Sequence, residues 1–234
     1  MNTAFKVTKY QLYYSYKGVM AFYAIIFLIA SATAVLSIKA SGKVTFGGLG
    51  AATVIFLFIA GLDWFKSSFK FTMANNVPRR EFYYGTMAAF VILAAFMALV
   101  DTVLSGILSL IISYESLVVQ LYGSSTYLAG LLWSFGLYTL FVCLGWFITM
   151  IYYRANKLMK IIITIIPFVT GILFGYIERQ TGGVMSRAIL DFIGRAMGFA
   201  YNNNTYMATF SFLAAAAVLL SFCFLLIRRV PVKD

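Results

Sequence analysis

Six apolar blocks, each long enough to cross a bilayer, constrain this chain more than any other feature: residues 18–38, 46–64, 86–113, 127–153, 159–177 and 206–227. A span needs roughly 20 apolar residues, rising about 1.5 Å each across about 30 Å of hydrocarbon. The third and fourth blocks exceed that length and are expected to tilt or protrude. The apolar residues run on continuously and do not alternate, so helices are expected and a barrel is not. A globule in water could not cover this much apolar side chain: 62% of the 234 residues are hydrophobic, against about half in soluble domains. The expected fold class is an all-α polytopic membrane protein, a single transmembrane domain over residues 1–234.

The charge distribution orients those spans. The net charge is +11, which in a soluble domain would suggest nucleic acid. Here thirteen of the 18 basic residues fall on one side of the predicted membrane. They are Lys6, Lys9 and Lys17 before span one; Lys66, Lys70, Arg79 and Arg80 between spans two and three; Arg154, Lys157 and Lys160 between four and five; and Arg228, Arg229 and Lys233 after six. Lys39, Lys43, Arg179, Arg187 and Arg195 face the other side. The positive-inside rule then places both termini in the cytoplasm, with lipid and not nucleic acid as the surrounding partner. The tyrosine pairs Tyr13-Tyr14, Tyr83-Tyr84 and Tyr152-Tyr153 sit at the predicted cytoplasmic boundaries, where amphipathic rings anchor at headgroups. Cys143 and Cys223 lie inside spans and read as small buried hydrophobes. Ala32-Thr33-Ala34 has the small residues of a signal-peptidase site, but the 17 residues before span one are long and aromatic, which argues against cleavage.

The connections carry their own patterns. Residues 1–17 mix Phe5, Val7, Tyr10 and Leu12 with lysines and predict a short amphipathic helix along the cytoplasmic interface. Lys39–Lys43 is expected to be a tight outside turn. After Trp64, residues 65–77 keep Phe65, Phe69, Phe71 and Met73 but add Lys66 and Lys70, which predicts a helix emerging from the membrane with one apolar face. Asn76 then reads as a helix N-cap region and Pro78 as a first-turn residue, so a second short helix is expected to turn the chain back into span three. Residues 65–85 together make a cytoplasmic elbow. Pro167 is expected to kink span five, and Gly171 with Gly175 permits close helix approach. Residues 178–205 are too polar to span, yet Val184, Ile189, Leu190 and Ile193 recur at near-helical spacing. One or two amphipathic helices at the outer surface are expected there, with Asp191 able to pair with Arg187 and Arg195.

Much chemistry is excluded by composition. The chain has no histidine, which argues against zinc proteases with paired helical histidines and against serine–histidine hydrolases. No phosphate-binding loop of the Gly-x-x-x-x-Gly-Lys-Ser/Thr kind occurs. Of seven acidic residues, Asp101 alone lies deep in a span. A charged side chain there costs roughly 2.5–3.5 kcal/mol on insertion scales. Asp101, Ser105 and Ser109 recur every four residues with Thr102 beside them, a polar stripe that must face protein or water. It reads either as a pathway or proton-relay stripe or as interhelical hydrogen bonding.

The order of parts, and the segment Phe69-Lys70-Phe71-Thr72-Met73-Ala74-Asn75-Asn76-Val77-Pro78-Arg79-Arg80-Glu81-Phe82-Tyr83-Tyr84-Gly85, resemble the membrane subunits of type-2 ABC exporters. The likeness is to the small Gram-positive permeases encoded with a separate ATPase. That family's pattern is an apolar helix, Asn-Gly-Val-Ser-Arg, aromatics and Gly; here Asn76 stands where Gly is usual and Pro78 where Ser is usual. The resemblance implies a bacterial plasma-membrane permease that is not itself an enzyme. It implies an ATPase-coupling segment of Asn75, Asn76, Val77, Pro78, Arg79, Arg80, Glu81 and Phe82, and re-entrant helices at 178–205. It further implies ATP and Mg on the partner ATPase, with none in this chain, and a second permease subunit, identical or related, to complete a path. Three other readings stay open: a substrate-binding subunit of a vitamin importer, a secondary transporter coupling ions through Asp101, and an accessory or immunity protein without a path. An aromatic-rich interior suits an amphipathic peptide, lipid or hydrophobic drug as cargo.

Overall fold

A computed structural model of the chain describes residues 3–39, 45–111 and 113–228. Of the turn expected at Lys39–Lys43, residues 40–43 lie outside the described residues, as do Arg229 and Lys233 of the basic tail. The chain is helical: α1 Thr3–Lys39, α2 Leu49–Ala74, α3 Arg79–Ile111, α4 Leu117–Tyr122, α5 Tyr127–Arg154, α6 Lys157–Thr181, α7 Val184–Ala196 and α8 Thr205–Ile227. Two backbone pairs, Thr45 with Ser113 and Phe46 with Tyr114, tie β1 (Thr45–Phe46) to β2 (Ser113–Tyr114) in parallel. Six of the helices, α1, α2, α3, α5, α6 and α8, are long and apolar enough to cross a membrane, and by that measure this is a multi-pass membrane protein.

The centre of the bundle is α5, packed between α2 and α8 and against α3. Lipid gives helices little hydrophobic reason to associate, so close backbone approach and interhelical hydrogen bonds must do it. Both occur on α5. Gly61 of α2 and Gly145 of α5 each bring one helix onto the other's backbone. One turn further along, the Thr149 hydroxyl donates to the Leu62 carbonyl at 2.8 Å. The α2–α3 end of the core is aromatic: Phe65, Phe69, Phe82 and Trp146 are fully buried and meet edge to face, the arrangement ring quadrupoles favour.

The N-terminal segment differs from the expected interfacial helix. Residues 3–17 are the first turns of an unbroken 37-residue helix, about 55 Å long at 1.5 Å per residue. The cause is a face that never stops: Val7, Gln11, Ser15, Val19, Ile26 and Ala30 are all buried at spacings of four or seven. This face lies parallel to α3 at an almost constant offset. The Ala4 N–H donates to Glu81 at 3.0 Å, the Thr8 hydroxyl to the Gly85 carbonyl at 2.9 Å, and the Gln11 amide to the Thr86 hydroxyl at 2.8 Å.

The elbow is also simpler than expected. α2 continues straight to Ala74, and the helix that starts at Arg79 is span three itself, so 75–78 is a bare turn between two long helices. Asn76 does not cap the N-terminus of a helix. It follows the α2 C-cap residue, Asn75, in the left-handed region at φ 56°. The Asn76 N–H reaches the Met73 carbonyl and the Val77 N–H the Thr72 carbonyl, both at 3.1 Å. That is a Schellman closure, which wants Gly or Asn at its left-handed position.

Beyond the core, α6 has no buried residue and runs through Pro167 without interruption. It joins α7 through Gly182 and Gly183, both at positive φ. Glu178 accepts from the Ser186 hydroxyl and backbone N–H. Arg187 donates to the Gly182 and Gly183 carbonyls. Residues 178–205 therefore hold one amphipathic helix, α7, followed by a turn at 197–204. Tyr122 of α4 fixes that turn: its hydroxyl donates to the Met197 carbonyl at 2.7 Å and accepts from the Trp133 indole at 3.3 Å.

Candidate functional site

Four helices converge on Asp101. It sits two-thirds of the way along α3 and is only 5% exposed. Tyr23 of α1 donates to one carboxylate oxygen at 2.9 Å, and Tyr138 of α5 donates to the other at 2.5 Å. Thr53 of α2 is buried beside the same group. Each oxygen thus accepts from a phenol held on a different helix. A buried carboxylate costs far less when its lone pairs are filled in this way.

Asp101 is also the floor of a cavity of about 260 Å³. Thr102, Ser105 and Ser109 line one wall of it, and Trp133, Ser134 and Tyr138 of α5 another. The helix period explains the first wall, since positions 101, 105 and 109 fall on one α3 face. The segment between α3 and α5 closes the side through Tyr114, Ser116 and Leu117. Thr126 and Tyr127 at the start of α5 also line it and are exposed. Burial pushes the Tyr114 phenol above its ordinary range, partly offset by the hydroxyl of Ser105, so it stays neutral near pH 7.

Most hydroxyl protons on the α3 wall are already committed. Thr102 donates to the Ala98 carbonyl at 2.7 Å, Ser109 to the Gly106 carbonyl at 2.8 Å, and Ser105 to the Tyr114 hydroxyl at 3.3 Å. What remains on these oxygens is acceptor capacity. Among the described residues that line the cavity, Asp101 is the only acidic or basic one.

The residues assigned above to ATPase coupling divide into two groups. Asn75, Asn76, Pro78 and Arg80 are exposed on the α2–α3 turn. Val77, Arg79 and Glu81 are half-buried and Phe82 fully buried. Val77 packs on the core, Arg79 donates to the Arg228 carbonyl at the end of α8 at 2.9 Å, and Glu81 accepts from Ala4. Phe82 thus sits in the aromatic core, while Asn75, Asn76, Pro78 and Arg80 are the exposed members of that segment. The stripe and the turn are not brought together; they lie at opposite parts of α3, some 20 residues apart.

Sequence reading missed Tyr23, Tyr138, Gly61 and Gly145. With 16 tyrosines and 18 glycines in the chain, no single one stands out. A glycine inside an apolar span, where it weakens the helix by about 1 kcal/mol relative to alanine, was the available signal. No protein-family model, curated protein or solved structure matches this chain.

Proposed function

We propose that this chain is the membrane subunit of an ATP-driven exporter of the type-2 ABC kind, driven by a separate ATPase that carries ATP and Mg. The observation that carries the reading is the α2–α3 turn. It is closed at the backbone, exposed at Asn75, Asn76, Pro78 and Arg80, and backed by two long helices that both pack on α5. A cytoplasmic partner pushing on such a turn would move α2 and α3 as levers, with no intervening flexible loop to absorb the displacement. The basic bias described above supports a cytoplasmic location for this turn. A second membrane subunit, identical or related, would cover α6, whose apolar surface finds no place in the core of this chain, and would complete a path for an amphipathic peptide, lipid or hydrophobic drug. The setting that goes with this reading is the plasma membrane of a bacterium.

One observation favours a second reading. Asp101, held by two phenols at the floor of a cavity, is where a secondary transporter would couple an ion. Purification of the tagged chain from its native membrane in mild detergent, with identification of co-purifying chains, separates the two. A stoichiometric ATPase is the expected result. A lone chain that moves ions in liposomes, and stops when Asp101→Asn is introduced, would overturn the exporter reading in favour of the second.

A further inference from the structure

We propose that the cavity above Asp101 is a binding site for a small organic ammonium ion. The lining states the chemistry of its occupant. Among the described residues that line the cavity Asp101 is the only acidic or basic one, and its hydrogen bonds come from neutral phenols, so none of those lining residues supplies it with a positive charge. A carboxylate in a membrane span is ordinarily paired with a cation. Among the described residues no His, Cys, Asp or Glu group of three gathers to hold a metal ion, and a hard divalent cation prefers several oxygen ligands with more than one carboxylate. One carboxylate matches one monovalent positive charge.

The hydroxyls sharpen this. Thr102, Ser105 and Ser109 have given their protons to Ala98, Tyr114 and Gly106. They therefore meet a ligand with lone pairs. An ammonium group brings donors and no acceptor, the complement of such a wall. An anion would instead meet the Asp101 carboxyl and these acceptor oxygens along the α3 wall. Beside further hydroxyls at Ser116, Ser125, Thr126 and Ser134, the wall carries Trp133, Tyr114 and Leu117, where the organic part of the ion can be desolvated and the charge can gain from a ring face. A volume of about 260 Å³ lies just under the usual range for ligand pockets, roughly 300–1,000 Å³, so a compact amine fits and a large drug does not.

This site is independent of what drives the assembly: an ATPase can co-purify with a chain that binds no amine, and the reverse. The test is equilibrium dialysis of the purified chain in nanodiscs against phenethylammonium, its neutral counterpart 2-phenylethanol and the anion phenylacetate, with empty nanodiscs subtracted. The expected result is saturable binding of phenethylammonium at least tenfold tighter than of 2-phenylethanol, with phenylacetate not bound. Asp101→Asn should abolish that preference. Should Asp101→Asn fail to fold, Ser134→Cys leaves the carboxylate in place and puts a thiol on the opposite wall. Phenethylammonium should slow its reaction with a small maleimide at least fivefold, and 2-phenylethanol should not. Equal binding of the cation and the alcohol, no saturation up to 10 mM of either, or an unprotected thiol at position 134 would overturn the assignment.

Discussion

Gly61 and Gly145 oppose each other where α2 meets α5, and each leaves the space that the other helix's backbone fills. A Cβ at 61 would run into the Val142 carbonyl and come within 3.1 Å of the Trp146 nitrogen; one at 145 would run into the Phe58 carbonyl and come within 3.1 Å of the Leu62 nitrogen. The obstructing atoms are backbone, which cannot rotate aside. Gly61→Ala and Gly145→Ala should therefore each lower stability by about 1–3 kcal/mol through overpacking, despite the gain of about 1 kcal/mol in helix propensity. Gly171→Ala is the control. Nothing lies within 4 Å of a Cβ at that position, so it should be neutral or stabilising. Thermal unfolding midpoints in one detergent decide this, and similar midpoints for Gly61→Ala and Gly171→Ala would remove the close contact as a stability determinant.

Asn76 occupies a left-handed position at φ 56° in the turn that closes α2. Glycine is free of the Cβ penalty there and asparagine tolerates it, whereas a β-branched residue does not. Asn76→Gly should leave the unfolding free energy within about 0.5 kcal/mol of the parent, and Asn76→Val should cost about 1–2 kcal/mol. A neutral Asn76→Val would mean that the turn does not take this conformation.

The same turn shows what was legible in the sequence and what was not. Span positions follow from length and apolarity alone, and α5 and α8 begin and end within a residue or so of the blocks read from the sequence. The expected break at Lys17 and the expected second elbow helix failed for one reason. A lysine or asparagine beside an apolar run looks like a boundary, yet the buried faces of α1 and α3 pass straight through, at Val7, Gln11 and Ser15 in one and at Phe82, Thr86 and Phe90 in the other. Periodicity of a face outweighs local polarity. The polar stripe from Asp101 to Ser109 was legible because a carboxylate in a span has few places to go. Its phenol partners were not, since Tyr23 and Tyr138 are 78 and 37 residues away in sequence and only packing brings them near.

Phe82 and Arg80 are two residues apart, and their variants should fail in different ways. Phe82 is fully buried against Phe65 and Phe69. Phe82→Ala should cost about 3–5 kcal/mol through the cavity it leaves and reduce the amount of folded protein. Arg80 is exposed and Arg79 is half-buried at the end of α8. On the proposed exporter reading, Arg79→Glu combined with Arg80→Glu should leave insertion intact, shift the unfolding midpoint little, and abolish stimulation of a co-purifying ATPase by cargo. Normal transport in that double variant would sink the coupling role of the turn.

The N-terminal turns of α1 offer the sharpest contrast between lying on the membrane and packing on protein. Gly85 is the point of closest approach: a Cβ there would come within 2.7 Å of both the Ala4 carbonyl oxygen and the Val7 Cβ. The neighbouring bonds, from Thr8 to the Gly85 carbonyl and from Gln11 to Thr86, are each worth about 0.5–1.5 kcal/mol net, and Gly85→Ala should strain both at once. Losing about 1.4 kcal/mol of docking raises the undocked population about tenfold. Limited trypsin digestion should then cut after Lys6 and Lys9 about ten times faster in Gly85→Ala than in the parent, with the span fragments unchanged. A helix that merely floated at the headgroups would be cut at the same rate in both, because nothing on α3 would hold it.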